Sequence, residues 1–148
     1  MLAEVLMALI DTARPTSTEH PGYTQTLPCA ARSVVPARSL VRIALETWGL
    51  GRLADTGALV VTELVSNSVT HTSTYSIRVT VSRPGETFVR IAAADNSKAI
   101  PTLRTLSSDH EEGGRGLAII DALTWRWGTD LLPRGKRVWG DLKCEVVE

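Results

Sequence analysis

Residues 58–72, with the sequence ALVVTELVSNSVTHT, predict a helix that carries one polar stripe on an otherwise apolar surface. At about 100° per residue, Glu63, Asn67 and His71 recur at every fourth position and therefore share one face. Leucine and valine dominate the rest of the surface, which predicts that the helix packs against a sheet. Its carboxylate and carboxamide must then face a cleft or have polar partners, because burying them alone is costly.

The polar stripe has the chemistry of a metal and phosphate site. The carboxamide oxygen of Asn67 is a hard ligand that suits Mg²⁺, which takes few protein ligands and completes its shell with water and substrate phosphates. Glu63, one helical turn earlier, could act as a general base. The alternative interpretation is that both are ordinary residues of a helix surface.

Composition limits the class of protein. A chain of 148 residues suffices for one domain with a real core. Its 16 basic and 16 acidic residues balance, so we expect no direct nucleic-acid partner. Cys29 and Cys144 have no paired spacing and are expected to be free thiols of a cytoplasmic protein. No stretch approaches the roughly 20 apolar residues that cross a bilayer, so we expect no membrane association.

Strand and helix patterns alternate along the rest of the chain. Strands are predicted over residues 23–27, 76–82, 87–94 and 137–142 and around Trp125 and Trp127, and further helices from Pro36 to about Trp48 and from Leu117 onward. Residues 1–22 are predicted to be an N-terminal extension or linker, and residues 23–148 the domain. This order predicts a two-layer α/β sandwich with a mixed, mostly antiparallel sheet covered on one face by about three helices.

The glycine segment Gly113-Gly114-Arg115-Gly116 leads from a long predicted loop, residues 96–112, into the helix that begins at Leu117. Closely spaced glycines expose backbone N–H groups, and a helix N-terminus adds a positive dipole end, so the segment suits an anion. It is neither a Walker A loop nor a Rossmann fingerprint. Plain loop-to-helix geometry is an equal alternative for this segment alone. Together with Asp95 at a strand end, the pattern favours a nucleotide with its base at Asp95 and its phosphates near Asn67 and the glycines.

These motifs resemble those of the GHKL ATPase superfamily. ELVSNSVTH resembles its N-box, and GGRGL resembles its second glycine box. The segment from Ala94 to Ser97 matches the position of the first glycine box, although the usual glycines are missing. The resemblance covers residues 23–142 and is strongest to anti-sigma-factor serine/threonine kinases and small ATP-binding regulators of actinobacteria.

The resemblance implies that ATP and Mg²⁺ are the ligands. Asn67 is expected to coordinate the metal, Asp95 to accept the adenine amino group, and Glu63 to be the catalytic base or to position the attacking hydroxyl. The residues expected to contact the cofactor are Asn67, His71, Asp95, Ser97, Gly113, Gly114, Arg115, Gly116 and Leu117.

The resemblance also implies a regulator that holds a sigma factor and phosphorylates an anti-anti-sigma (STAS-type) antagonist. Arg38 and Arg42, on the helix from Pro36, are expected to contact the partner, with a homodimer left open. One alternative is a non-catalytic switch in which ATP binding changes a protein interface. Another is a detached histidine-kinase-like ATPase domain.

Overall fold

The computed structural model describes residues 14–15, 20–72, 74–97 and 112–144. Within these ranges the chain forms six strands and three helices. They are β1 (Arg14–Pro15), β2 (Gly22–Pro28), α1 (Val34–Thr47), α2 (Ala54–His71), β3 (Ser76–Ser82), β4 (Phe88–Asp95), α3 (Glu112–Leu123), β5 (Arg126–Leu132) and β6 (Gly135–Lys143). Short 3-10 turns, Ala31–Ser33 and Gly51–Leu53, precede α1 and α2.

The strands form one sheet in the order β1-β2-β3-β4-β6-β5, and each pairing is antiparallel. The predicted sheet was mixed and mostly antiparallel, whereas the sheet in the described part of the chain is entirely antiparallel. Two helices separate β2 from β3, and such a helical pair returns the chain in the opposite direction. A single helix lies between β4 and β5, which do run in the same direction, but β6 is inserted between them.

The three helices cover one face of this sheet, and the core lies between the two layers. From the sheet, β3 contributes Ile77, Val79 and Val81, and from the helices α2 contributes Val60, Val61, Leu64 and Val65. Burying each such side chain contributes about 1.5–3 kcal/mol of stabilisation. The two-layer α/β sandwich predicted from the sequence is confirmed.

Gly57 allows α1 and α2 to pack closely. An ideal Cβ at this position would lie 2.8 Å from Leu45 Cδ1 and 2.9 Å from Val41 Cγ1. Real Cβ atoms do not make contacts this short, so a side chain here would push the two helices apart. The close contact fixes α2, and with it the polar stripe, over the sheet.

The observed boundaries differ from the predicted ones at several elements, including α2, β2 and α3. α2 begins at Ala54, four residues before the predicted start. β2 begins at Gly22 and pairs with β1 inside the predicted extension, whereas residues 1–13 and 16–19 lie outside the described ranges. α3 begins at Glu112, so the glycine segment forms its first turn and does not precede it. Residues 98–111 of the predicted loop also lie outside the described ranges.

Two features bear on the predictions from composition. Cys29 and Cys144 are free thiols, and the Cys29 thiol contacts the carbonyl oxygen of Ser68 in α2 at 3.7 Å. In the described ranges, the helices are too short or too polar to span a bilayer.

Candidate functional site

The polar stripe of α2 lies against the first turn of α3. An ideal Cβ at Gly116 would lie 2.9 Å from Asn67 Oδ1 and 3.0 Å from Glu63 Oε2. Glycine at this position therefore lets the backbone of α3 approach both polar side chains. The structure thus brings the glycine segment and the Glu/Asn stripe together, as the sequence predicted.

Asn67 is a buried carboxamide with unsatisfied hydrogen-bonding capacity. The residue is 9% exposed, and its Nδ2 atom has no hydrogen-bond partner among the described residues. Leaving a buried donor unpaired costs about 1–3 kcal/mol, so native proteins rarely keep one without a reason. A ligand that bonds to this side chain would supply the missing partner.

Glu63 is half-buried beside Asn67. Desolvation raises the pKa of its carboxyl above the ordinary value. A carboxylate with a raised pKa is a stronger proton acceptor, which suits a general base. The position and the pKa direction of Glu63 are therefore compatible with the predicted role.

Asp95 ends β4 at the other end of the site, and three donors hold its carboxylate. Lys136 Nζ lies 3.0 Å from Oδ1 and 3.3 Å from Oδ2, Ser68 Oγ donates to Oδ2 at 3.0 Å, and the backbone N–H of Ser97 donates to Oδ1 at 2.9 Å. An ionised carboxylate can accept about four hydrogen bonds. These four contacts take up that capacity, so an amino group of a base would have to share or replace one of them.

Lys136 and Ser68 were not predicted as site residues. Lys136 alternates with Val138, Gly140 and Leu142 in β6, so the sequence places one lysine among residues that face the core. That break in an apolar alternation was the available signal. The signal for Ser68 was weaker, because a serine beside Asn67 is common in helices of this composition.

Gly135 sets the position of Lys136. Its φ is 138°, and an ideal Cβ there would lie 1.9 Å from the carbonyl oxygen of Asp95. Only glycine fits so close to another backbone. The start of β6 is thereby held against the end of β4, which places the Lys136 ammonium on the Asp95 carboxylate.

The remaining predicted contact residues take different positions. His71 is exposed at the end of α2, and Leu117 is a core residue, so only its backbone is available to a ligand. Gly113, Gly114 and Arg115 form the first turn of α3, and their side-chain environment lies outside the described part of the structure. The first four N–H groups of a helix have no partner within it, so this turn retains its capacity to bind an anion.

The two predicted partner contacts lie on α1. Arg38 is exposed, and Arg42 donates to Asp55 in α2 across 2.8 Å. Both belong to the helical layer, and the sheet face opposite the helices does not include them.

The described residues contain no group of three or more histidine, cysteine, aspartate or glutamate side chains that could hold a metal ion. Within the described part of the chain, Asn67 is the residue that we expect to ligate a metal here, together with oxygen atoms that the ligand supplies. Mg²⁺ commonly binds in this way, with one or two protein ligands plus phosphates and water.

Comparison with known families agrees with this geometry. Residues 27–139 match the histidine kinase-like ATPase domain, a stretch that includes α2, Asp95, Gly116 and Lys136. No curated protein matches the chain. Because the match covers well over half of the sequence and contains the whole candidate site, the chain belongs to the histidine kinase-like ATPase domain family of the GHKL superfamily.

Proposed function

We propose that this protein is an ATP-dependent regulator of transcription that holds a sigma factor and phosphorylates a serine or threonine of an antagonist protein. The observation that carries the proposal is the contact of Gly116 with both Glu63 and Asn67. It joins a candidate base, a candidate metal ligand and a helix N-terminus in one site. The family implies ATP binding, and ATP together with free thiols favours the cytoplasm as the place of action.

The carboxamide of Asn67 can bind a magnesium–phosphate group with both its oxygen and its nitrogen. Its Oδ1 atom would ligate Mg²⁺, and its unpaired Nδ2 would donate to a phosphate oxygen. When bound, Mg²⁺ neutralises charge on the phosphates. The N–H groups at the start of α3 would bind the remaining phosphate oxygens.

Glu63 would act on the protein substrate. Its carboxylate accepts the proton of the attacking hydroxyl, while the oxygen of that hydroxyl forms a bond to the terminal phosphorus and ADP leaves. The raised pKa of Glu63 favours this proton transfer. Asp95 would accept the adenine amino group in place of one of its present contacts with Lys136, Ser68 and Ser97.

The exposed side of α1 is our proposed contact with the sigma factor, with Arg38 and Arg42 as anchors. Arginine is frequent among the residues that dominate protein interfaces. Charge reversal at both positions should abolish capture of the sigma factor in a pull-down, whereas Lys143→Glu on the opposite layer should leave it unchanged. Equal capture by all three proteins rejects this surface.

Glu63→Gln tests the kinase proposal. Wild type and variant are first compared by titration calorimetry with ATP, and then by transfer of labelled γ-phosphate to candidate antagonists encoded nearby. Loss of a general base costs about 10²–10⁴ in rate, whereas nucleotide affinity should stay within about threefold. Glu46→Gln, on the exposed side of α1, is the matched control and should change neither the rate of phosphate transfer nor the nucleotide affinity.

The two measurements separate the alternatives. If wild type binds ATP and transfers no phosphate to any antagonist, the chain acts as a nucleotide-dependent binding switch. If Glu63→Gln phosphorylates as fast as wild type, Glu63 only orders the cleft. If wild type gives no heat with ATP, the assignment of the site itself fails.

A further inference from the structure

The sheet face opposite the helices, which we call the outer face, has its own charge pattern. Thr26, Arg78, Ala94, Arg137 and Asp130 are neighbours in one row across this face, from β2 to β5. The three helices pack on the other side of the sheet. The outer face thus lies on the opposite side of the sheet from α2 and α3, and it meets the candidate nucleotide site at Asp95.

Both carboxylates that the described strands place on the outer face are already paired. Asp141 is fully buried beneath two arginines: Arg90 donates to both of its oxygens at 2.8 and 3.0 Å, and Arg126 donates to Oδ2 at 2.6 Å. Arg137 donates to Asp130 at 2.8 Å. These carboxylates are therefore unavailable to the other cations of this face.

Arg78 and Arg134 are left without a carboxylate among the described residues. Both are exposed, and both line a cleft of about 460 Å³ at one end of the outer face, together with Thr26, Ser76 and Asn96. Asp95 also lines the cleft, and its carboxylate is buried against Lys136. The cleft therefore combines two guanidinium groups that no described carboxylate neutralises with neutral hydrogen-bonding side chains.

We propose that this cleft is a docking site for an acidic segment of a partner protein, with carboxylates of that segment bound to Arg78 and Arg134. Guanidinium groups bind carboxylates through two parallel hydrogen bonds, which gives both strength and orientation. The hydroxyl groups of Thr26 and Ser76 add donors beside them. The volume is sufficient for a few side chains of an extended segment.

The aromatic residues of the outer face argue against nucleic acid as the occupant. Trp139 lies over Gly128, where an ideal Cβ would be 2.8 Å from the indole, and Arg90 covers the ring at 3.9 Å from its centroid. Arg126 and Lys143 lie over the Trp125 ring at 4.2 and 4.8 Å. Single-stranded nucleic acids bind through bases stacked on free aromatic faces, and cations already lie over both of these rings.

The inference is independent of nucleotide binding and can be tested without it. The full chain, labelled with ¹⁵N, is titrated with a synthetic hexapeptide of alternating glutamate and glycine at about 50 mM salt, where charge screening is modest. The glutamine–glycine hexapeptide and a hexathymidine oligonucleotide are titrated in parallel. Amide shifts at Arg78, Asn96 and Arg134 should saturate with the glutamate peptide alone.

Arg78→Gln/Arg134→Gln should lower the affinity for the glutamate peptide about tenfold or more, which corresponds to the loss of at least one charge-assisted contact. Arg32→Gln/Arg52→Gln removes the same charge from exposed positions in the 3-10 turns before α1 and α2 and should change affinity less than about twofold. All four positions are exposed, and the spectra themselves report whether each variant is folded.

Equal loss in both double variants would show a general charge effect and overturn the proposal. Shifts confined to other surfaces, or equal binding of the glutamine peptide, would overturn it as well. Tighter binding of hexathymidine at the cleft would replace the acidic segment by nucleic acid as its occupant.

Discussion

Lys136 and Asp95 form an ion pair in which both side chains are buried. Their side chains are 5% and 1% exposed, and Lys136 Nζ lies 3.0 Å from Asp95 Oδ1. The pair joins the start of β6 to the end of β4 at the edge of the candidate site. It therefore makes the stability of the fold and the shape of the site depend on the same two residues.

Replacing Lys136 by methionine should destabilise the protein strongly, because the Asp95 carboxylate would remain buried without its cation. Removal of one partner of a buried pair costs about 3–5 kcal/mol. The double variant Asp95→Asn/Lys136→Met leaves no buried charge and should recover most of this loss. Urea unfolding of wild type and the two variants measures both effects. If Lys136→Met were as stable as wild type, the ion pair would not contribute to the stability of the fold.

Gly116→Ala should weaken ATP binding about tenfold or more, because the added methyl group would displace the Asn67 and Glu63 side chains by which the site is defined. Gly85→Ala is the matched control, since an ideal Cβ at Gly85 has no heavy atom within 4 Å. Calorimetric titration with Mg²⁺-ATP compares the three proteins. Unchanged affinity in Gly116→Ala would show that the ligand does not bind between α2 and α3.

Asn67→Ala should weaken ATP binding more in Mg²⁺ than in EDTA, because the substitution removes the proposed metal ligand. We expect wild type to bind in the micromolar range, roughly −8 kcal/mol. Titrations of both proteins in both buffers give the four affinities that this comparison requires. An equal loss in Mg²⁺ and EDTA would assign the carboxamide to phosphate binding alone.

Glu63→Gln should stabilise the free protein at neutral pH, because burial raises the pKa of the Glu63 carboxyl. The folded state then holds its proton to a higher pH than the unfolded state, so wild type loses stability as pH rises through this window. Below about pH 4 both states are protonated and the advantage of glutamine disappears. Thermal melting at several pH values, with Glu46→Gln as the control, measures the difference. A difference that does not change with pH would contradict the pKa shift.

Local periodicity was sufficient to predict the elements that build the site. The recurrence of Glu63, Asn67 and His71 fixed one face of α2, and alternation predicted the β3–β4 hairpin. Both signals arise within a few residues. The chemistry of Asn67 and the glycine segment then indicated which elements must meet, and the contact at Gly116 agrees with that expectation.

Longer-range features could not be read in the same way. The sequence predicts the start of α3 at Leu117, after the glycines, because glycine disfavours helix, yet the observed helix includes the glycines, and Gly116 lies against α2. The insertion of β6 between β4 and β5 has no local signature, and without it Lys136 has no evident partner. The all-antiparallel sheet and the Asp95–Lys136 pair depend on this insertion.

The position of β6 between β4 and β5 also affects how fast the domain folds. β4 pairs with β3 in a local hairpin, but its second neighbour, β6, follows only after α3 and β5 in the chain, and the Asp95–Lys136 contact spans 41 residues. Such long-range pairing must first close a large loop, whereas helices form on the microsecond scale. Docking of β6 on β4, like that of β2 on β3, should therefore be a slow step of refolding, and the Asp95 end of the candidate site should form in it.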